Sequence, residues 1–212
     1  MSIASRRPPA PFAPWGKIVP GHGPVTVDIL LTLPDDGQRY EVVEGVLIRM
    51  AGSGDEATSI GIEFAAELRN YVRPRRLGRV TGADGVYKFP GAETCLLPDV
   101  GFYIVERRAL IRDRTKPIPF APDLAVEVAS PDQTAADMAA KAQRYLRGGT
   151  RLVWVLWPRG EHIDLWRPAD LQPDYRDMRP AATLGAGDLL DGEDVVPGFS
   201  LSVADVFADP LD

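Results

Sequence analysis

An amphipathic pattern in the first third of the chain places the tightest constraint on its fold. Between Asp55 and Val72 apolar side chains recur at spacings of three and four, which predicts a helix that Pro74 ends. Segments rich in Val, Ile, Leu, Phe and Tyr then predict strands. The apolar helix positions are Ile60, Phe64, Leu68 and Tyr71, and the strand segments are 85–90, 95–105 and 124–129. The chain is therefore expected to be of the α/β (α+β) class.

Further elements are predicted on both sides of these strands. A short helical turn at 28–33 precedes a turn at 34–37, and a hairpin spans 40–50 with Glu44 and Gly45 at its tip. Thr134 and Asp137 have the spacing of a capping box, which predicts a second helix from about Ala135 to Leu146. A strand pair at 151–157 and 162–166 follows, and short strands with a terminal turn complete the chain.

Composition indicates one domain of ordinary globular character. We expect residues 28–212 to form that domain and the proline-rich residues 1–27 to form an irregular arm. The net charge of −6 argues against a protein that coats nucleic acid. The longest apolar run, Leu152 to Trp157, is too short to span a bilayer, so no membrane partner is expected. The single cysteine, Cys95, fits a cytoplasmic location.

Two carboxylates in predicted strands are the strongest candidates for chemistry. Side chains alternate along a strand, so Asp99 shares a face with Gly101 and Glu127 shares one with Ala125, which suggests room for a ligand. Asp123 is a competing partner for Glu127, but four residues separate them by roughly 13 Å. Asp99, on a neighbouring strand, is the better partner for a shared metal ion, and Asp123 is expected to begin its strand.

Lys141 is the third candidate. It lies within the apolar stripe of the second predicted helix, and an inward-facing ammonium needs a carboxylate partner. A lysine that extends along the edge of the stripe to solvent is the alternative. Two arginine-rich runs, residues 69–79 and 107–116, are either solvated helix ends and loops or a phosphate-contacting rim around an acidic centre.

Five stretches of the sequence form a recognisable ordered set: LPDDGQRYEVVEG (33–45), LPDVGF (97–102), PDLAVEVASP (122–131), LVWVL (152–156) and DGEDVVPGF (191–199). Together they resemble the Uma-type restriction endonuclease family, a branch of the PD-(D/E)XK nuclease superfamily. The resemblance covers roughly residues 28–207 and implies a restriction-endonuclease-like mixed central sheet flanked by helices. It also implies Mg²⁺-dependent hydrolysis of phosphodiester bonds.

The resemblance assigns roles residue by residue. Asp99 matches the first metal-binding acid and Glu127 the second, and the carbonyl of Val128 or Ala129 is the implied further ligand. Ala129 occupies the position where the superfamily usually has its lysine, so Lys141 resembles a relocated lysine. Glu41 matches an acid that is either an outer metal ligand or a structural pair. A histidine that many relatives carry at the start of the first long helix is absent.

These observations favour a nuclease that uses Mg²⁺ or Mn²⁺ and acts on nucleic acid, with DNA the expected substrate over RNA. The catalytic set would be Asp99, Glu127, Lys141 and Glu41, with Asp99, Glu127 and Ala129 at the metal. A second hypothesis is a binding module for nucleic acid or protein that keeps the fold without turnover. A third is a structural homodimer built on the region of Trp154 and Trp157.

Overall fold

The computed structural model describes residues 15–21, 24–30, 32–33, 36–209 and 211. The described residues form four α-helices: α1 (Val27–Leu30), α2 (Asp55–Arg75), α3 (Ala135–Arg147) and α4 (Val203–Phe207). The capping box predicted for α3 is confirmed, since Thr134 accepts from the N–H of Asp137 and Asp137 accepts from that of Thr134. The prediction that Pro74 ends α2 is wrong. The helix continues to Arg75 and ends where Arg76 turns left-handed at φ 56°.

Strands account for most of the remaining regular structure. In chain order they are β1 (Lys17–Ile18), β2 (Tyr40–Val43), β3 (Val46–Arg49), β4 (Gly78–Thr81), β5 (Tyr87–Lys88), β6 (Cys95–Leu96), β7 (Val100–Ile104), β8 (Leu124–Val128), β9 (Leu152–Trp157), β10 (His162–Trp166), β11 (Ala182–Leu184), β12 (Leu189–Asp191) and β13 (Ser200–Ser202). The predicted hairpin at 40–50 and the predicted pair at 151–166 are both confirmed.

A six-stranded mixed sheet forms the centre of the molecule, in the order β11-β10-β9-β8-β7-β4. Only β8 and β9 in this sheet run parallel, and α3 connects them. The faces of β8 alternate: Val126 and Val128 pack with Phe64 and Leu68 of α2, whereas Ala125 packs on the side of α3. The two long helices therefore cover opposite faces of the sheet. The predicted fold class, a mixed central sheet flanked by helices, is confirmed.

A smaller sheet lies beside the first and contains the hairpin. Its order is β1-β3-β2-β6-β5, with β1 at the edge. β1 and the buried Trp15 belong to the segment predicted as an irregular arm, so part of that segment is attached to the sheet. The boundary at residue 27 stays a prediction. Residues 1–14 and His22 lie outside the described residues.

The segment predicted as one strand from 95 to 105 is in fact two strands in two sheets. β6 belongs to the smaller sheet and β7 to the central one, with Leu97, Pro98 and Asp99 between them. The chain crosses from one sheet to the other at these residues, which places Asp99 at the junction of the two sheets. A further strand, β4, forms where the sequence predicted a basic loop.

The aromatic region proposed as a dimer surface is mostly interior. Trp154 is fully buried and packs against the rings of Phe64 and Phe199. Trp157 is half-buried, and its indole N–H donates to Asp164 at 2.9 Å. Homodimer formation therefore stays a prediction without support from Trp154. None of the helices in the described part of the chain is both long and apolar enough to cross a membrane.

Candidate functional site

Strand register brings the two predicted acids together. β7 and β8 are antiparallel, with Val100 opposite Val126 and Gly101 opposite Ala125. One step further along the same register, Asp99 lies opposite Glu127. A carboxylate oxygen of Asp99 accepts the N–H of Val128 at 2.8 Å, so its side chain is fixed against the end of β8.

Glu127 is buried and hydrogen-bonded at both oxygens. Oε2 accepts from Nζ of Lys141 at 2.8 Å, and Oε1 accepts from the hydroxyl of Tyr145 at 2.6 Å. Burial raises the pKa of the Glu127 carboxyl to about 8, although the neighbouring ammonium of Lys141 opposes the shift. The nearby Asp99 and Glu41 also raise it. The interior of the protein thus holds the second predicted acid and the predicted lysine in direct contact.

Lys141 lies between two acids from different sheets. Its Nζ is 3.6 Å from Oε1 of Glu41 in addition to its contact with Glu127, and only 4% of its side chain is exposed. Burial alone would lower the pKa of Lys141, but the carboxylates of Glu127, Glu41 and Asp99 raise it above its ordinary value. Lys141 is therefore an inward-facing ion-pair partner and not a lysine that extends to solvent.

Glu41 is fully buried on β2, and both of its carboxylate oxygens accept hydrogen bonds from other groups of the protein. Oε2 accepts from the indole N–H of Trp15 at 2.7 Å, and Oε1 accepts from the N–H of Leu97 at 2.9 Å. Together with Lys141, these contacts join the N-terminal segment, the hairpin, the β6–β7 crossing and α3. The arrangement favours a structural pair over an outer metal ligand for Glu41.

An open cleft of about 630 Å³ gives solvent access to this group. Asp99, Glu127, Val128 and Lys141 all line it. Three basic residues also line it: Lys17, Arg39 and Arg49. Ala129 is buried in the core, and its N–H donates to the carbonyl of Leu156. At the end of β8, therefore, Glu127 and Val128 line the cleft, whereas Ala129 does not.

The donor set suits a hard divalent cation. Asp99 is half-buried in the cleft, and among the described residues only Val128 donates to its carboxylate. No group of three or more His, Cys, Asp or Glu side chains with metal-binding geometry occurs in the described residues. Mg²⁺ commonly takes one or two carboxylates and completes its coordination with water and substrate oxygens. Two carboxylates and a strand-end carbonyl beside an open cleft fit that requirement.

The structure also bears on the other sequence-based expectations about the site. None of the arginines of the two basic runs is among the residues that line the cleft. Arg107 pairs instead with the buried Asp123 at 3.3 Å, at the opposite end of β8 from Glu127. The space expected beside Gly101 is filled as well, since a Cβ there would lie 2.5 Å from the hydroxyl oxygen of Tyr87. Asp123 directly precedes β8, as predicted.

Two residues at the site were missed by the sequence reasoning. Tyr145 lies in the same predicted helix as Lys141, and its spacing of four from Lys141 places both residues on one helix face. Trp15 lies in a proline-rich segment that gives no periodic signal. Only the structure shows that it reaches Glu41.

Comparison with known proteins gives three results. The model of the Uma2 family, described as "Putative restriction endonuclease", matches residues 27–204. No curated protein shows significant similarity to the sequence. A solved structure, described as a putative nuclease belonging to DUF820 from Anabaena variabilis ATCC 29413, superposes with a TM-score of 0.69 at 24% identity. The match covers 87% of this chain and 98% of that one and shows a shared fold.

Proposed function

This chain belongs to the Uma2 family, and we propose that it is a nuclease that hydrolyses phosphodiester bonds with the help of Mg²⁺ or Mn²⁺. Nucleic acid, with DNA the expected form, is the proposed substrate. The observation that carries the proposal is the position of Asp99 opposite Glu127, with Lys141 bonded to Glu127 at 2.8 Å beside an open cleft.

Asp99 and Glu127 would hold the cation, together with the carbonyl of Val128 or Ala129. When bound, the ion supplies a Lewis acid that polarises a phosphate oxygen and lowers the pKa of a coordinated water. Lys141 would orient the attacking water and offset the negative charge that develops on the phosphate. Glu41 would help to hold the ammonium of Lys141 in place, since it contacts Lys141 at 3.6 Å.

Local charge supports a divalent cation. Asp99, Glu127 and Glu41 surround a single ammonium, that of Lys141. When all four groups are ionised, the cluster has an excess of two negative charges, which one Mg²⁺ or Mn²⁺ would cancel. Because the cluster is largely buried, water compensates this excess poorly, and a cation at the cleft side would relieve the repulsion.

The test is cleavage of single- and double-stranded DNA, and of RNA, by the purified protein with Mg²⁺ or Mn²⁺. Cleavage is expected with metal, and chelation should abolish it. Asp99→Asn and Glu127→Gln should each abolish the metal-dependent cleavage, because each removes a carboxylate proposed to hold the ion. Asp123→Asn is the matched control, because it changes a buried acid near the other end of β8. Activity that survives Asp99→Asn would contradict the assignment.

A non-catalytic binding module is the second candidate, and one observation favours it. Both oxygens of Glu127 already accept hydrogen bonds from protein groups. Calorimetric titration with Mn²⁺ separates the candidates: uptake that Asp99→Asn abolishes supports the nuclease. Absence of uptake, together with retained binding of an oligonucleotide, would support the binding module.

A further inference from the structure

The hydroxyl of Tyr145 is the second donor to the Glu127 carboxylate. It donates to Oε1 at 2.6 Å, while Lys141 donates to Oε2 at 2.8 Å. Tyr145 is fully buried, so no water competes for its hydroxyl. A glutamate carboxylate turns about its last side-chain torsion with little resistance. Donors at both oxygens fix the plane of the group and leave only the remaining lone pairs for a cation.

The hydroxyl itself has little freedom to move. Tyr145 follows Lys141 by one helical turn, so α3 presents both donors on one face. The ring of Tyr145 packs against that of Phe89, with the centroids 6.0 Å apart. The next residue toward the N-terminus, Arg144, forms an ion pair with Glu44 at the tip of the hairpin. The helix that carries the hydroxyl is thus attached to the smaller sheet.

We propose that Tyr145 is a positioning residue for metal binding, one that holds the Glu127 carboxylate in the orientation a divalent cation requires. This inference rests on the proposed function, because it assumes that Glu127 is a metal ligand. Hydrogen-bond donors to ligating groups commonly change metal affinity or activity by about 10- to 100-fold when they are removed. Tyr145 acts through Glu127, and no contact of Tyr145 with substrate is required.

Tyr145→Phe tests the proposal, since it removes the hydroxyl and keeps the ring. Calorimetric titration of the metal-free protein with Mn²⁺ should show about 10- to 100-fold weaker binding. Tyr87→Phe is the matched control: Tyr87 is equally buried, but its hydroxyl pairs with Thr81 at 2.8 Å and makes no contact with Glu127. Tyr87→Phe should bind Mn²⁺ as the wild type does. In a cleavage assay Tyr145→Phe should lower kcat and leave KM for the oligonucleotide unchanged.

The outcomes separate this inference from the proposed function. If the wild-type protein takes up no Mn²⁺ through Asp99, the proposed function fails. If the wild type binds Mn²⁺ and Tyr145→Phe binds it equally well or more tightly, only the positioning role fails. Tighter binding would mean that the hydroxyl competes with the cation for Oε1.

A second measurement requires no substitution of Tyr145. The tyrosine absorption band of the wild-type protein should shift during titration with Mg²⁺, because the charge next to the Tyr145 hydroxyl changes. The shift should persist in Tyr87→Phe. A band that stays unchanged at saturating Mg²⁺, or a shift that Tyr87→Phe abolishes, would overturn the inference.

Discussion

Glu41 and Lys141 come within 3.6 Å of each other in the interior, although one lies on the hairpin and the other on α3. The two residues are a hundred positions apart in the chain. Their contact joins the smaller sheet to the helix that flanks the central one. The same ammonium reaches Glu127 at the end of β8. A single lysine thus connects three of the elements that form the candidate site.

Replacement of Lys141 by methionine should strongly destabilise the fold. Methionine keeps much of the volume, but Glu41 and Glu127 lose their common counter-ion. Loss of one member of a buried ion pair typically lowers the free energy of unfolding by about 3–5 kcal/mol. Urea denaturation above pH 8, where Glu127 is ionised, measures the change. The exposed Lys116→Met is the control and should stay within about 0.5 kcal/mol of wild type. Adding Glu127→Gln to Lys141→Met should recover part of the loss. No recovery would contradict the ion-pair explanation.

Trp15→Phe should lower the stability of the fold because it removes one buried hydrogen bond. The indole N–H of Trp15 donates to the buried Glu41, and phenylalanine leaves that oxygen without this donor. Trp166→Phe is the matched control, because Trp166 is equally buried and its indole N–H has no hydrogen-bond partner in the described residues. Trp15→Phe should lower the free energy of unfolding by about 1–3 kcal/mol more than Trp166→Phe. If denaturant titrations show equal losses in the free energy of unfolding for the two variants, the smaller ring alone explains the effect.

Local patterns predicted much of the fold. The period of apolar residues in α2 and the capping box of α3 depend on neighbours within a few positions, so the sequence expresses them directly. Strand alternation likewise predicted which face Glu127 occupies. The break between β6 and β7 could not be predicted in this way. Both halves are apolar and strand-like, and only the pairing of β6 with β2 and of β7 with β8 separates them.

The same distinction applies to the candidate site: residues with a local signature were predicted, and residues placed by long-range contacts were not. Asp99 and Glu127 were recognised because each lies in a recognisable motif, and Lys141 because it lies in the apolar stripe of a predicted helix. Trp15 was missed because its contact with Glu41 spans 26 residues and has no local signature. The space beside Gly101 was misjudged for a similar reason, since Tyr87 fills it from another sheet. Long-range packing decides such positions, and no periodic pattern encodes it.

Thr134→Ala should destabilise the helix that carries Lys141 and Tyr145. The Thr134 side chain accepts the N–H of Asp137, and loss of such a cap typically lowers the free energy of unfolding by about 1 kcal/mol. Thr58→Ala is the control, since the Thr58 hydroxyl donates to carbonyls of Gly54 and Asp55 and caps no N–H. Thermal denaturation should therefore show a lower Tm for Thr134→Ala only. A Tm equal to that of wild type would mean that packing alone fixes α3.

The raised pKa of Glu127 predicts how the stability of the metal-free protein depends on pH. Glu127 has a pKa of about 8 in the folded protein, against an ordinary value of 4.5 in the unfolded chain. Below 4.5 both states hold the proton, and the stabilising contribution is fully present. As pH rises toward 8, the unfolded chain has lost a proton that the folded one retains, so the free energy of unfolding falls until the folded-state carboxyl also ionises.

Glu127→Gln isolates this contribution, because glutamine does not titrate. The stability of wild type relative to Glu127→Gln should decrease between about pH 5 and pH 8 and then level off. This difference in the free energy of unfolding is measured by denaturant titrations at a series of pH values in the presence of a chelator. Contributions from groups that are common to both proteins cancel in the difference. A difference that stays constant or grows with pH would mean that Glu127 is ionised in the folded protein throughout that range, with Lys141 as its counter-ion.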